Sequence, residues 1–156
     1  MIARIEARDK SILLPVDHLV TKSITDTKSA RTTPGVGIND DELGVDIGPK
    51  TLVQYETALK EAGTIFWNGP MGIFETPEFS RGTFGVAKAI AESDALKIVG
   101  GGDSAAAAEA SGYADKMTHI STGGGASLEY LQGDKLPGLE ILRPKRTNEP
   151  RGPESF

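Results

Sequence analysis

Gly100-Gly101-Gly102-Asp103-Ser104 and Ser121-Thr122-Gly123-Gly124-Gly125-Ala126-Ser127 form two triple-glycine loops about 23 residues apart. Each follows a short apolar run, Lys97-Ile98-Val99 or Met117-Thr118-His119-Ile120, and each opens a helix of small or amphipathic residues. Glycine lets backbone N–H groups approach an anion with no Cβ in the way. The helix behind adds the positive end of its dipole. Two such termini at one cleft suit a polyphosphate. Tight strand-to-helix turns would explain either loop alone; the pair favours phosphate. Neither loop carries Gly-x-x-x-x-Gly-Lys-[Ser/Thr], nor Gly-x-Gly-x-x-Gly with an acid about 20 residues on.

Asp103 stands at a helix start. It suits either an N-cap or a ligand to Mg²⁺, which takes one or two carboxylates together with phosphate oxygens and water. The glycine loop before it favours the metal. Ser104 suits a cap or a phosphate contact. Glu75, beyond Trp67-Asn68-Gly69-Pro70-Met71-Gly72-Ile73-Phe74, could accept from ribose hydroxyls, but spacing alone favours an ordinary solvated glutamate. Trp67 and Phe66 read as core strand residues. Asp46 reads as the cap of the helix entered through Gly48-Pro49-Lys50-Thr51. His18 and His119 have no partner spacing for a metal or a triad. The chemistry left is electrostatic positioning, which is what phosphoryl transfer requires.

The elements that must hold these residues follow from periodicity. Residues 1–9 read as a charged helix, Ser11–Pro15 as a short buried strand stopped by proline, and 17–21 as a second strand. Residues 22–40 read as an irregular excursion. Leu52, Tyr55, Leu59 and Ala62 make a helical stripe over 50–62, closed by Gly63. Thr64–Trp67 is a buried strand. A helix over 79–92 turns Phe84, Ala87, Ile90 and Ala91 inward. Strands at 97–99 and 117–120 lead into helices at 103–111 and 125–132. This alternation predicts an α/β fold: an incomplete three-layer αβα, Rossmann-like parallel sheet with right-handed crossovers. Ligands to such sheets sit outside the carboxyl ends of the strands, where both glycine loops and Asn68–Gly72 fall. The boundaries read as a partial nucleotide-binding domain over 1–138 and a flexible tail over 139–156.

Composition narrows the class. The 156 residues carry a net charge of −5, which gives no footprint for non-specific nucleic-acid binding. There is no cysteine, hence no disulfide, thiolate metal site or cysteine nucleophile. No apolar run reaches the ~18 residues of a membrane span, and the first residues lack the apolar stretch of a signal peptide. A cytoplasmic location is the expectation.

These segments resemble the phosphoglycerate kinase family, in the latter part of its nucleotide-binding domain. The resemblance is carried by Ile12–Asp17, Asp46–Thr51, Phe66–Glu75, Gly100–Ser104 and His119–Glu129, with Leu136-Pro137-Gly138 behind. It implies phosphoryl transfer between 1,3-bisphosphoglycerate and MgADP in glycolysis. It implies that Gly44, Val45, Pro70 and Ile73 line the adenine pocket, that Asn68 lies by the phosphates, and that Glu75 holds the ribose. Gly101, Gly102, Asp103 and Ser104 would form the phosphate and Mg²⁺ site, with Asp103 as the metal ligand. The N–H groups around Gly102 and Gly123, Gly124 and Gly125 would stabilise the transferring phosphoryl group, making Gly102 and Gly125 the catalytic positions.

The family's first domain, with its phosphoglycerate-binding arginine and histidine cluster, has no counterpart in these residues, nor has its phosphate-binding lysine segment. The chain alone is therefore expected to be inactive, to be less stable or self-associating, and to depend on the remaining portion supplied in trans. The competing readings are a non-catalytic nucleotide-binding module, half of a split kinase, a dinucleotide oxidoreductase domain, and a purely structural α/β domain.

Overall fold

The computed structural model describes residues 10–142. The helix expected over 1–9 lies outside the described residues, as does the tail expected over 139–156 from Arg143 onward; the tail's first residues, 139–142, are helical. The chain forms two compact units, Met1–Gly124 and Gly125–Phe156.

The first unit holds two small sheets. One is antiparallel, in the order β2-β1-β3, from β1 (His18–Thr21), β2 (Arg31–Thr32) and β3 (Leu43–Ile47). Its register pairs Leu19 with Thr32 on one side and His18 with Ile47 on the other, and shifts by a bulge between Leu19 and Val20. The other is parallel, in the order β4-β5-β6, from β4 (Thr64–Trp67), β5 (Leu96–Gly100) and β6 (His119–Ser121). Trp67 pairs with Val99, and Gly100 with Ser121, so all three strands end level.

Helices α1 (Pro49–Lys60), α2 (Arg81–Glu92) and α3 (Gly102–Ala110) flank the parallel sheet. The core joins Ile65, Trp67 and Val99 to Val86, Ala87 and Ile90 of α2 and to Ala107 and Ala108 of α3, with the α1 stripe Leu52, Tyr55 and Leu59 packed on it. The alanines of α3 let that helix lie close to the sheet. The second unit contains the rest of α4 (Gly124–Gln132) and α5 (Pro137–Leu142).

Four sequence expectations are corrected. The single sheet is two, because residues 43–47, to which the sequence assigned no element, pair with β1. Ser11–Leu14 is no strand: Ile12, Leu13 and Leu14 are exposed, since no neighbouring strand among the described residues pairs with them. In α2 the buried positions are Gly82, Thr83, Val86, Ala87 and Ile90, while Phe84 is only half-buried. Asp46 does not cap α1. That role falls to Asp17, whose carboxylate accepts from the Lys50 and Thr51 amides at 3.1 and 2.8 Å and from the Thr51 hydroxyl at 2.7 Å.

Candidate functional site

β4, β5 and β6 are parallel, in register and short, so their carboxyl ends emerge side by side and three loops meet there. Asn68 follows β4 and donates its side-chain amide to the Gly100 carbonyl at 2.5 Å. The Gly69 amide donates to the Ser104 hydroxyl at 2.6 Å, which ties the first turn of α3 to the Asn68–Gly72 loop. Gly101 donates to the Ser121 carbonyl at 2.8 Å, which links the β5 loop to the β6 end.

Two glycines are required by this geometry. Gly101 has φ +101°, a conformation in which a side chain is strained. A Cβ on Gly124 would lie 2.9 Å from the Gly101 Cα, so the two glycine loops approach backbone to backbone.

At the start of α3, Gly101 is the N-cap and no side chain caps the helix. Its first-turn N–H groups have no intrahelical acceptor. Gly102 is exposed, and a Cβ there would meet nothing within 4 Å. Asp103 is exposed in this first turn, so it is a free carboxylate at a positive helix end rather than the cap. Ser104 is buried, 1% exposed, with its hydroxyl accepting from Gly69. No group of three or more His, Cys, Asp or Glu side chains that could hold a metal is present among the described residues. A single carboxylate beside open helix-end amides suits a cation shared with phosphate oxygens and water.

On the other side of the loop lies β3. Gly44 is exposed, whereas Val45 is 2% exposed and turns its side chain into the core. The Val45 carbonyl accepts from the Ile73 amide at 2.9 Å, which brings Gly44–Val45 and Pro70–Ile73 together. Glu75 is exposed one turn further on. Gly123 and Gly124 follow β6; Gly125 begins the second unit. Trp67 is a core residue, and its indole N–H donates to the Gly69 carbonyl at 2.7 Å, holding the turn.

Asp46 is the group whose role the sequence hid. It is buried and accepts from its neighbour Ile47 and, at 2.5 Å, from the Gly82 amide at the start of α2. Burial pushes its carboxyl up to about 6, against the two amides that favour the anion. Its partner lies 36 residues on, a pairing that only the fold discloses.

The phosphoglycerate kinase family model matches residues 1–134. A phosphoglycerate kinase of Bdellovibrio bacteriovorus is 77% identical over 143 residues, which span 92% of this chain and 36% of that protein. One from Gloeobacter violaceus is 51% identical over 142 residues, 91% of this chain and 35% of its own length. Among solved structures, the phosphoglycerate kinase from Coxiella burnetii superposes with a TM-score of 0.80 at 40% identity, covering 90% of this chain and 36% of that one. That from Pyrococcus horikoshii OT3 gives 0.69 at 41% identity, covering 82% and 31%. The chain thus spans about a third of the length of the relatives it matches.

Proposed function

Because the chain belongs to the phosphoglycerate kinase family, we propose that its first unit is part of the nucleotide site for phosphoryl transfer between 1,3-bisphosphoglycerate and MgADP. The observation that supports this most is the level rim at the ends of β4, β5 and β6, fastened by Asn68 to Gly100, Gly69 to Ser104 and Gly101 to Ser121. In this reading Gly44, Val45, Pro70 and Ile73 face the adenine, with Val45 contributing backbone alone. Asn68 and Glu75 serve phosphate and ribose. The amides of Gly102 and Ser104 serve the phosphates, while Gly101, whose amide is held by the Ser121 carbonyl, leaves the approach clear of a side chain. Mg²⁺, when bound with the nucleotide, would neutralise phosphate charge, and Asp103 is the residue that would hold it. Gly102, unobstructed at the α3 start, offers its N–H to the transferring group.

Transfer itself also needs the phosphoglycerate-binding groups and closure around both substrates. The chain alone is therefore expected to bind nucleotide and to turn over negligibly. Calorimetric titration with MgADP tests this, with Asp103→Ala as control. Saturable binding weakened by the substitution supports the reading; a folded chain that binds no ADP overturns it.

A second reading, half of a split kinase, is favoured by one observation. β4 forms an edge of its sheet, beside an apolar cleft of about 250 Å³ lined by residues including Leu13, Tyr55, Leu59 and Trp67. The remainder of a phosphoglycerate kinase chain is the partner proposed for that edge. Kinase activity recovered on mixing the two pieces supports it.

A further inference from the structure

Thr83 makes none of the nucleotide contacts that the family reading assigns, yet it sits where the two walls of the nucleoside side are joined. It is fully buried in the first turn of α2. Its hydroxyl oxygen accepts from two consecutive backbone amides, Met71 at 3.0 Å and Gly72 at 3.1 Å. Gly82, the residue before it, donates to the Asp46 carboxylate at 2.5 Å, and Asp46 belongs to β3. The start of α2 therefore grips the Met71–Gly72 loop with Thr83 and β3 with Gly82. A direct bond from the Ile73 amide to the Val45 carbonyl closes the ring at 2.9 Å.

The spacing inside this ring has no slack. A Cβ on Gly72 would lie 2.5 Å from both the Asp46 carboxylate and the Val45 carbonyl. Contacts that close are never realised, so a methyl there must push the loop away from β3. The loop carries Pro70 and Ile73, and β3 carries Gly44 and Val45. The ring thus fixes the width between the two segments proposed to sandwich the base. The α3 start, where the phosphates would bind, is held to the other end of the same loop by a separate bond, Gly69 to Ser104, that Thr83 does not make.

We infer that Thr83, with Asp46, is a positioning residue for nucleoside recognition: by holding Met71 and Gly72 against β3 it sets the width of the base slot and leaves the phosphate cradle unaffected. This rests on the nucleotide reading above. It makes a prediction that a general loss of stability would not, because base and phosphate binding should separate.

The test titrates the 156-residue chain with two probes, MgADP and magnesium pyrophosphate, at a temperature where circular dichroism shows each variant folded. In Thr83→Val the shape is kept and the acceptor lost. Its MgADP dissociation constant should rise roughly tenfold while that for pyrophosphate changes less than about twofold. Thr83→Ser, which keeps the hydroxyl, should bind both probes as the unmodified chain does. Gly72→Ala provides an independent route to a widened slot, with the same split expected, should Thr83→Val not fold. Equal weakening of both probes, or unchanged ADP binding in a folded variant, overturns the inference while leaving the nucleotide reading intact. An unmodified chain that binds neither probe overturns both.

Discussion

Asp17 and Thr51 are joined across 34 residues through the Asp17 carboxylate, which accepts both the amide and the hydroxyl of Thr51, at 2.8 and 2.7 Å. Both residues are fully buried. The Thr51 hydroxyl also accepts from the amides of Val16 and Asp17, so one pair fastens the start of α1 to the strand entry before β1. Burial is the largest influence on the Asp17 carboxyl and pushes it up, but the Thr51 hydroxyl, the Thr51 and Lys50 amides and the Lys50 charge together hold it below its ordinary value. Asp17→Ala leaves these donors unpaired and should destabilise the first unit by at least about 2 kcal/mol. The midpoint of urea unfolding reads this directly; an unchanged midpoint would show that the cap contributes little.

Asp17 and Asp46 should give opposite pH responses. Asp46, raised to about 6, binds a proton more readily folded than unfolded, so its contribution is full below the ordinary carboxylate value and is lost as pH rises through 6. Asp17, lowered, contributes above the ordinary value and loses that contribution as pH falls through its own depressed one. Of these two, only Asp46 changes from pH 7 to 5, and its contribution to stability should rise by about 1 kcal/mol. Asp46→Asn should abolish this gain whatever it does to the baseline. Thermal unfolding of both chains at pH 5, 6 and 7 tests it, and the same pH dependence in both would contradict it.

Ser104 should be more important to the loop than to the helix. Its hydroxyl accepts from the Gly69 amide, and removing it leaves that amide unpaired. Ser104→Ala is expected to cost about 1–3 kcal/mol and to speed hydrogen exchange at Gly69 ahead of the amides of α3. Protection lost evenly over α3 would instead assign Ser104 to the helix.

The open side of β4 should drive self-association. Its backbone edge is unpaired within the described sheet, and exposed Ile12, Leu13 and Leu14 precede it in the chain. Edges of this kind pair with other chains unless charged or covered. The apparent mass in light scattering should therefore rise with concentration, and Thr64→Lys, at the exposed start of β4, should lower it. A strictly monomeric chain over a hundredfold concentration range would refute this.

The portions of this fold that could be read from sequence are those built from near neighbours. The α1 stripe Leu52, Tyr55 and Leu59, the strand Thr64–Trp67 and the glycine-to-helix turns each declare themselves within one β-α unit, because periodicity and glycine act locally. The common rim followed from parallel order alone. What escaped depends on distant partners. β3 contains Gly44 and becomes a strand only by pairing with β1. The cap of α1 comes from Asp17 rather than nearby Asp46. Ile12–Leu14 has the composition of a buried strand, yet no neighbour among the described residues pairs with it. Thr83 gave no signal in the sequence, since accepting two loop amides leaves no spacing pattern around it.

At the rim, Gly101 and Gly124 meet main chain to main chain. A donor built from the peptide unit is supplied by every codon except that for proline, so substitution cannot weaken it by degrees. What a substitution can change there is clearance, and a single methyl on Gly124 would exceed it. Variation at this seam is therefore all-or-none, and gradual adjustment of ligand preference is left to the flanks, where side chains such as Ile73, Glu75 and Asp103 offer a continuum of size and charge.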